Sequence, residues 1–216
     1  MRGDVLIDLY TWTTPNGRKA SIMLEEIGAP YAVHPVNLAK EDQFQPKFLA
    51  ISPNNKIPAI VDNDAPGGPI SIFESGAILL YLAEKTKRFL TPSGPGRVRA
   101  LEWLFWQIGG LGPMLAQLGF FALRSTERSE LAIERFTDEA NRLLSVVEGR
   151  LSASAYLAGD DYSIADIACY PWIVAASTFQ RPALGDIFEE RPELKRWMNA
   201  VAARPAVARG MAVPKV

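Results

Sequence analysis

Two short stretches carry residue types from which a ligand site could be built. Ser52-Pro53-Asn54-Asn55-Lys56-Ile57-Pro58-Ala59-Ile60-Val61 reads as an exposed loop, an apolar residue held before a proline, and a short strand. Phe73-Glu74-Ser75-Gly76 ends a second strand in an acid and a hydroxyl that open an amphipathic helix. A strand edge with free backbone groups beside a helix N-terminus suits an extended peptide bearing a carboxylate. The edge pairs with the peptide backbone, while unsatisfied N–H groups and the positive dipole end favour the anion. Ser75 can donate to that carboxylate and Glu74 can pair with an ammonium. The plainer account is a helix cap beside a solvated acid, and both can hold together. Thr14-Pro15-Asn16-Gly17 puts another hydroxyl and an amide ahead of another helix, where neutral donors can steady an anion. A turn followed by a cap serves equally well there.

What the chain lacks narrows the chemistry. One cysteine, Cys169, rules out an internal disulfide framework and any Cys-x-x-Cys redox pair. One histidine, His34, leaves no zinc cluster and no Ser–His or Cys–His nucleophile pair. Any thiol chemistry must therefore arrive with a ligand. The formal net charge of −1 gives no reason to expect nucleic acid or an anionic membrane surface as partner. No charged segment followed by a long apolar one opens the chain, so a cytoplasmic location is expected. Arg2-Gly3-Asp4 matches an adhesion tripeptide by chance. Residues 103–123 carry no charge and are long enough to span a bilayer, but Gly109, Gly110, Gly112 and Pro113 interrupt them. A buried helix is the expected outcome.

These residues need elements to position them. A strand is predicted over residues 5–10, then a helix to about Ile27 with Ala20, Met23, Leu24 and Ile27 on its apolar face and Gly28 as its stop. Tyr31, Val33 and Val36 suggest a second strand, and one helical turn is expected around Pro46. Hairpin strands over 57–61 and 69–73 lead into a helix over 75–85. This order gives a small mixed four-stranded sheet with helices, an α/β thioredoxin-like domain without redox cysteines. A Pro/Gly-rich linker over 89–96 separates this domain (1–88) from an all-α domain (97–216). In the latter, residues 97–123 read as one long helix bent near Gly112-Pro113. Residues 127–151 are strongly amphipathic. Ser163-Ile164-Ala165-Asp166 is a capping pattern worth about 1 kcal/mol, Pro171 should bend its helix, and Pro192 and Pro205 start two more.

A cysteine-free thioredoxin-like half, Ile-Pro at a strand start, Glu-Ser opening the next helix and a helical second half together resemble the glutathione transferases, over nearly the whole chain. Thr14-Pro15-Asn16-Gly17, Asn54-Asn55-Lys56-Ile57-Pro58, Glu74-Ser75-Gly76-Ala77-Ile78-Leu79 and Ala132-Ile133-Glu134-Arg135 are similar to the bacterial nu class, which includes glutathione-dependent disulfide-bond reductases. The resemblance implies glutathione as co-substrate, without a metal. It also implies a cis Ile57-Pro58 bond, whereas only about 5–6% of X–Pro bonds in folded proteins are cis. Ile57 and Pro58 would hold the cysteinyl backbone, Glu74 and Ser75 the γ-glutamyl end, and Lys56 and Gln43 the glycyl end. Thr14 and Asn16 would stabilise the thiolate. Tyr10 competes for that role, but its strand position reads as core. Arg135 would reach glutathione in the neighbouring subunit of a homodimer, its plainer account being a solvated cation with an i+4 acid. Trp12, Trp106 and Met114 would line a cleft for the second substrate, a small disulfide, hydroperoxide or electrophile. Cys169 is expected to be buried and inert. The implied activity is disulfide reduction, with hydroperoxide reduction as a side activity. A conjugating transferase and a non-catalytic binding or regulatory protein are the rival readings.

Overall fold

A computed structural model describes residues 6–216, so Val5 and the Arg2-Gly3-Asp4 tripeptide lie outside the described residues. The chain divides into two compact units. One comprises the N-terminal part through Arg88 together with Arg204–Val216, and the other is Phe89–Ala203.

In the first unit, β1 (Ile7–Thr11) pairs in parallel with β2 (Tyr31–Pro35) and antiparallel with β3 (Ala59–Asp62), which pairs antiparallel with β4 (Ile70–Phe73). Among the described residues this makes one four-stranded mixed sheet in the order β2-β1-β3-β4. The parallel β1–β2 step is made through α1 (Pro15–Ile27), as a crossover connection requires. Gly28 ends α1 in the left-handed conformation, its N–H bonded to the Leu24 carbonyl at 3.1 Å. The single turn α2 (Pro46–Leu49) and α3 (Ser75–Thr86) complete the βαβ–ββα order. The strand expected from Ile57 begins two residues later, at Ala59, because Ile57-Pro58 belongs to the preceding loop. Behind the sheet, fully buried Asp62 accepts from Tyr81 Oη at 2.7 Å and Lys85 Nζ at 2.6 Å, tying α3 to β3.

The buried face of α1 differs from the expected one. Ile22 and Ser21 are wholly buried while Ile27 is half-buried. The reason lies far along the chain. The last helix, α10 (Pro205–Met211), packs on α1 and gives it a second buried side. Ser21 Oγ donates to the Gly210 carbonyl at 2.7 Å, and a Cβ on Gly210 would sit 2.5 Å from Ile22 Cα. Arg204 forks onto Glu26 at 2.6 and 2.9 Å, and Arg209 reaches Glu25 at 2.6 Å. Residues 204–216 therefore join the sheet unit rather than the helical domain to which the linker position had assigned them.

The second unit is helical. Its first helix, α4 (Gly94–Trp106), begins inside the expected linker. It leads through a π-helical turn, Gln107–Leu111, into α5 (Gly112–Leu123). The departure from regular α-helix thus lies ahead of Gly112-Pro113, in the π-helical turn that holds Gly109 and Gly110. Among the described residues no helix is long and apolar enough to cross a membrane. α6 (Glu130–Leu151) buries Ala140, Leu143, Leu144, Val147 and Leu151. α7 (Ile164–Thr178) runs through Pro171, and the short α8 (Arg181–Leu184) and α9 (Pro192–Ala202) follow. Ser163 and Asp166 form the capping box, and Cys169 is wholly buried within α7.

Candidate functional site

The candidate thiol corner lies where β1 runs into α1. Thr14 caps α1: its Oγ1 accepts the Gly17 N–H at 3.1 Å, and its own N–H donates to the Trp12 carbonyl at 2.7 Å. Among the described residues no group accepts the Thr14 O–H proton, so it remains available to a ligand. Gly17 makes this tight turn feasible, since a Cβ there would stand 2.3 Å from the Trp12 carbonyl oxygen. Asn16 is half-buried in the first turn of α1. Tyr10 is core: it stacks on His34 with centroids 4.7 Å apart and packs against Val36, Phe48, Ile57 and Ala59. Burial, and then the Asp8 charge, push the Tyr10 hydroxyl above its usual range. Half-buried Trp12 leans on the same cluster, so part of its ring serves packing.

The edge and the second helix N-terminus are also in the first unit. The loop before β3 is cross-tied by wholly buried Ser52, whose Oγ donates to the Lys56 carbonyl at 2.8 Å and whose carbonyl accepts the Asn55 N–H at 2.9 Å. Ile57-Pro58 is cis. Among the described residues neither the N–H nor the C=O of Ile57 has a partner, although its side chain is buried in the cluster. Lys56 is exposed, and half-buried Gln43 has a buried Oε1 that meets no donor. Glu74, with φ of 70°, is the residue that caps α3, and its exposed carboxylate makes no capping bond. Ser75 is consequently the first helical residue rather than the cap. It is buried, and its Oγ accepts from Lys19 Nζ at 3.3 Å.

Lys19 was not among the residues singled out from sequence. It is only 2% exposed, and its Nζ donates to Ser75 Oγ at the head of α3. Its signal was legible as a spacing of four before Met23, which puts it on the buried side of α1.

The helical-unit candidates do not converge. Met114 and Arg135 line a cavity of about 560 Å³ together with Leu131, Phe136, Asp138 and Arg142. Trp106 lines a different one of about 490 Å³, beside Trp103, Arg99 and Arg150. Arg135 is exposed, and its i+4 acid is already engaged. Arg142 forks onto Glu139 at 2.8 and 2.7 Å and, with a lesser contribution from Arg135, holds that carboxyl below the usual range. Among the described residues Arg135 makes no salt bridge, though its charge still acts on Glu139, its i+4 acid, as the plainer account expects. No cluster of described His, Cys, Asp or Glu residues could hold a metal.

Comparison with known proteins agrees with this architecture. Residues 6–84 match the family model for the glutathione S-transferase N-terminal domain, and residues 111–205 match that for the C-terminal domain. Disulfide-bond oxidoreductase YfcG of Escherichia coli (strain K12) is 50% identical over 208 residues, covering 95% of this chain and 94% of that protein. A glutathione transferase family member from Pseudomonas fluorescens pf-5, solved with two glutathione bound, superposes with a TM-score of 0.94 at 44% identity, over 99% of this chain and 96% of that one. A glutathione transferase from Pseudomonas putida, solved with one glutathione disulfide per subunit, gives a TM-score of 0.93 at 40% identity over 99% and 94%. With both domain models matched in order and a relative aligned nearly end to end, the chain belongs to the glutathione S-transferase family.

Proposed function

We propose that the protein is a glutathione-dependent disulfide reductase that uses a borrowed thiol. The observation that carries this reading is an unpaired backbone edge with no sulfur near it: Ile57 leaves both backbone groups without a partner ahead of β3, while Cys169 is wholly buried in the other unit. Kinship with a protein named a disulfide-bond oxidoreductase supports the choice of reaction. Glutathione pairs its cysteinyl backbone with Ile57 beside Pro58. Its γ-glutamyl carboxylate takes the Ser75 O–H and the first N–H groups of α3, Glu74 takes its ammonium, and Lys56 and Gln43 take the glycyl end. Thr14 and Asn16 donate to the sulfur. The thiolate, its proton lost to solvent, attacks one sulfur of a small disulfide. A glutathione mixed disulfide forms and the other sulfur leaves as a thiolate, which takes up a proton. A second glutathione thiolate attacks the glutathione sulfur of that mixed disulfide, releasing the remaining thiol and oxidised glutathione. Hydroperoxides and electrophiles are slower substrates of the same thiolate.

Parallel assays with glutathione and either a mixed disulfide or an aryl halide test this. Disulfide cleavage should be the faster reaction, and Cys169→Ser should retain it. Faster conjugation would assign the site to an ordinary transferase. Thermal stabilisation by glutathione without turnover of either substrate would make it a binding protein.

The reading includes a homodimer in which Arg135 reaches the partner's glutathione, supported by its exposure and by the lack of a salt bridge to it among the described residues. Arg135→Ala should weaken glutathione binding about tenfold, the worth of one charge-assisted bond. Titration calorimetry showing unchanged affinity would return Arg135 to the solvated surface.

A further inference from the structure

Arg18 is a cation that the fold partly buries without giving it an acid. It sits one turn above Thr14, its N–H bonded to the Thr14 carbonyl at 3.0 Å, so the two side chains share a helix face. Long side chains on a helix lean toward its N-terminus, the end of α1 at which the Thr14 cap stands. Its Nε is buried and has no partner, and burial holds the guanidinium below its usual range, with no carboxylate opposing that effect.

The acids of α1 and of the elements packed on it are committed elsewhere. Glu25 and Glu26 are paired with Arg209 and Arg204 of the last helix and its cap. On the sheet, Asp62 is held by Lys85 of α3, and Asp8 of β1 by His34 and Asn63. Glu74 stands exposed at the head of α3, where Lys19 already faces Ser75. Glu84 has an interaction of its own. A positive side chain in the first turn also opposes the helix dipole, a cost that an anion at the cap would offset.

We infer that Arg18 supplies the positive charge of the thiol corner, lowering the pKa of the bound thiol so that glutathione is held as thiolate near neutral pH; this rests on the glutathione site proposed above. Thr14 and Asn16 then orient the sulfur, and Arg18 sets its ionisation. A free thiol titrates near 8.5, and an opposite charge within about 4–6 Å lowers such a value by about 1–3.

The ultraviolet absorbance of the thiolate, followed against pH on the intact protein saturated with glutathione, reads this directly. In Arg18→Gln the bound thiol should titrate about one pH unit higher than in the unaltered protein, and the acid limb of kcat/KM should move with it. Disulfide cleavage should fall about tenfold near neutral pH and recover in alkaline solution, while Arg18→Lys should keep most of the effect. Affinity for S-methylglutathione, which has no ionisable thiol, should not change. An unshifted thiol titration in Arg18→Gln, or a loss of rate equal at every pH, would overturn the assignment and leave the glutathione site intact. Failure of the unaltered protein to bind glutathione would remove the site itself.

Discussion

Asp166→Ala should destabilise the helical unit by about 3–5 kcal/mol, far beyond the cost of a lost cap. The carboxylate is wholly buried. Its Oδ1 accepts the Leu157 N–H at 3.0 Å and Trp197 Nε1 at 2.8 Å, and its Oδ2 accepts the Ser163 N–H at 2.9 Å and Ser163 Oγ at 3.0 Å. Burial raises its pKa, and the four bonds work against that rise. Alanine would strand three buried N–H donors, each costing about 1–3 kcal/mol. Domains of this kind are stable by only about 5–15 kcal/mol. Asp166→Asn would keep one acceptor oxygen but turn an NH2 toward the Ser163 N–H, so its cost should fall between. Urea unfolding gives the comparison. A midpoint shift worth no more than about 1 kcal/mol would mean that the capping box, not the buried hub, is all that Asp166 contributes.

Thr14→Ala should lower kcat/KM for disulfide cleavage by about a hundredfold, the usual consequence of removing a preorganised donor from a developing or stored anion. The same change removes the α1 cap and should cost about 1 kcal/mol of stability, because Gly17 loses its acceptor. The two losses separate experimentally. Thr14→Ser keeps the hydroxyl and should retain both cap and rate, whereas Thr14→Val keeps the shape and should lose both. Rates are compared well below the melting temperature, so that the stability loss does not enter. Unchanged turnover in Thr14→Ala would reject Thr14 as the sulfur's donor and leave it a cap. The proposed division of labour adds a further contrast: Thr14→Ala also raises the thiol's pKa but should keep a rate deficit in alkali, because the hydroxyl positions the sulfur as well, whereas the Arg18 variant recovers there.

Much of the architecture was legible because it rests on local rules. Proline at the heads of α9 and α10, Gly28 after α1, and serine with aspartate before α7 are signals that act within one turn of chain, whereas Pro15, Asn16 and Gly17, expected as turn, already belong to α1. The lone cysteine and lone histidine needed no structure to exclude an internal redox pair or a zinc cluster. Boundaries were less legible where backbone geometry decides them. Ile57 looked like strand by composition, but its side chain belongs to the core while its backbone groups stay unpaired in the loop. Ser75 looked like a cap, yet Glu74 with its positive φ takes that position and leaves Ser75 inside the first turn.

By its own residue types and spacings, the sequence determined a mixed α/β unit followed by helices, the hydroxyl, amide and acid groups near the heads of α1 and α3, and the lack of any Cys-x-x-Cys pair. Only the tertiary structure decided that α10 returns to close the second side of α1, that Lys19 is buried beside Ser75, and that Asp166 joins Leu157 and Trp197. The physical reason is separation along the chain. A cap or a stop depends on neighbours within four residues, whereas burying a lysine or saturating a carboxylate depends on groups from 9 to 56 residues away. No local pattern encodes that a distant side chain will arrive. The folded chain alone shows which charges found partners and that Arg18, one turn from the cap, was given no acid.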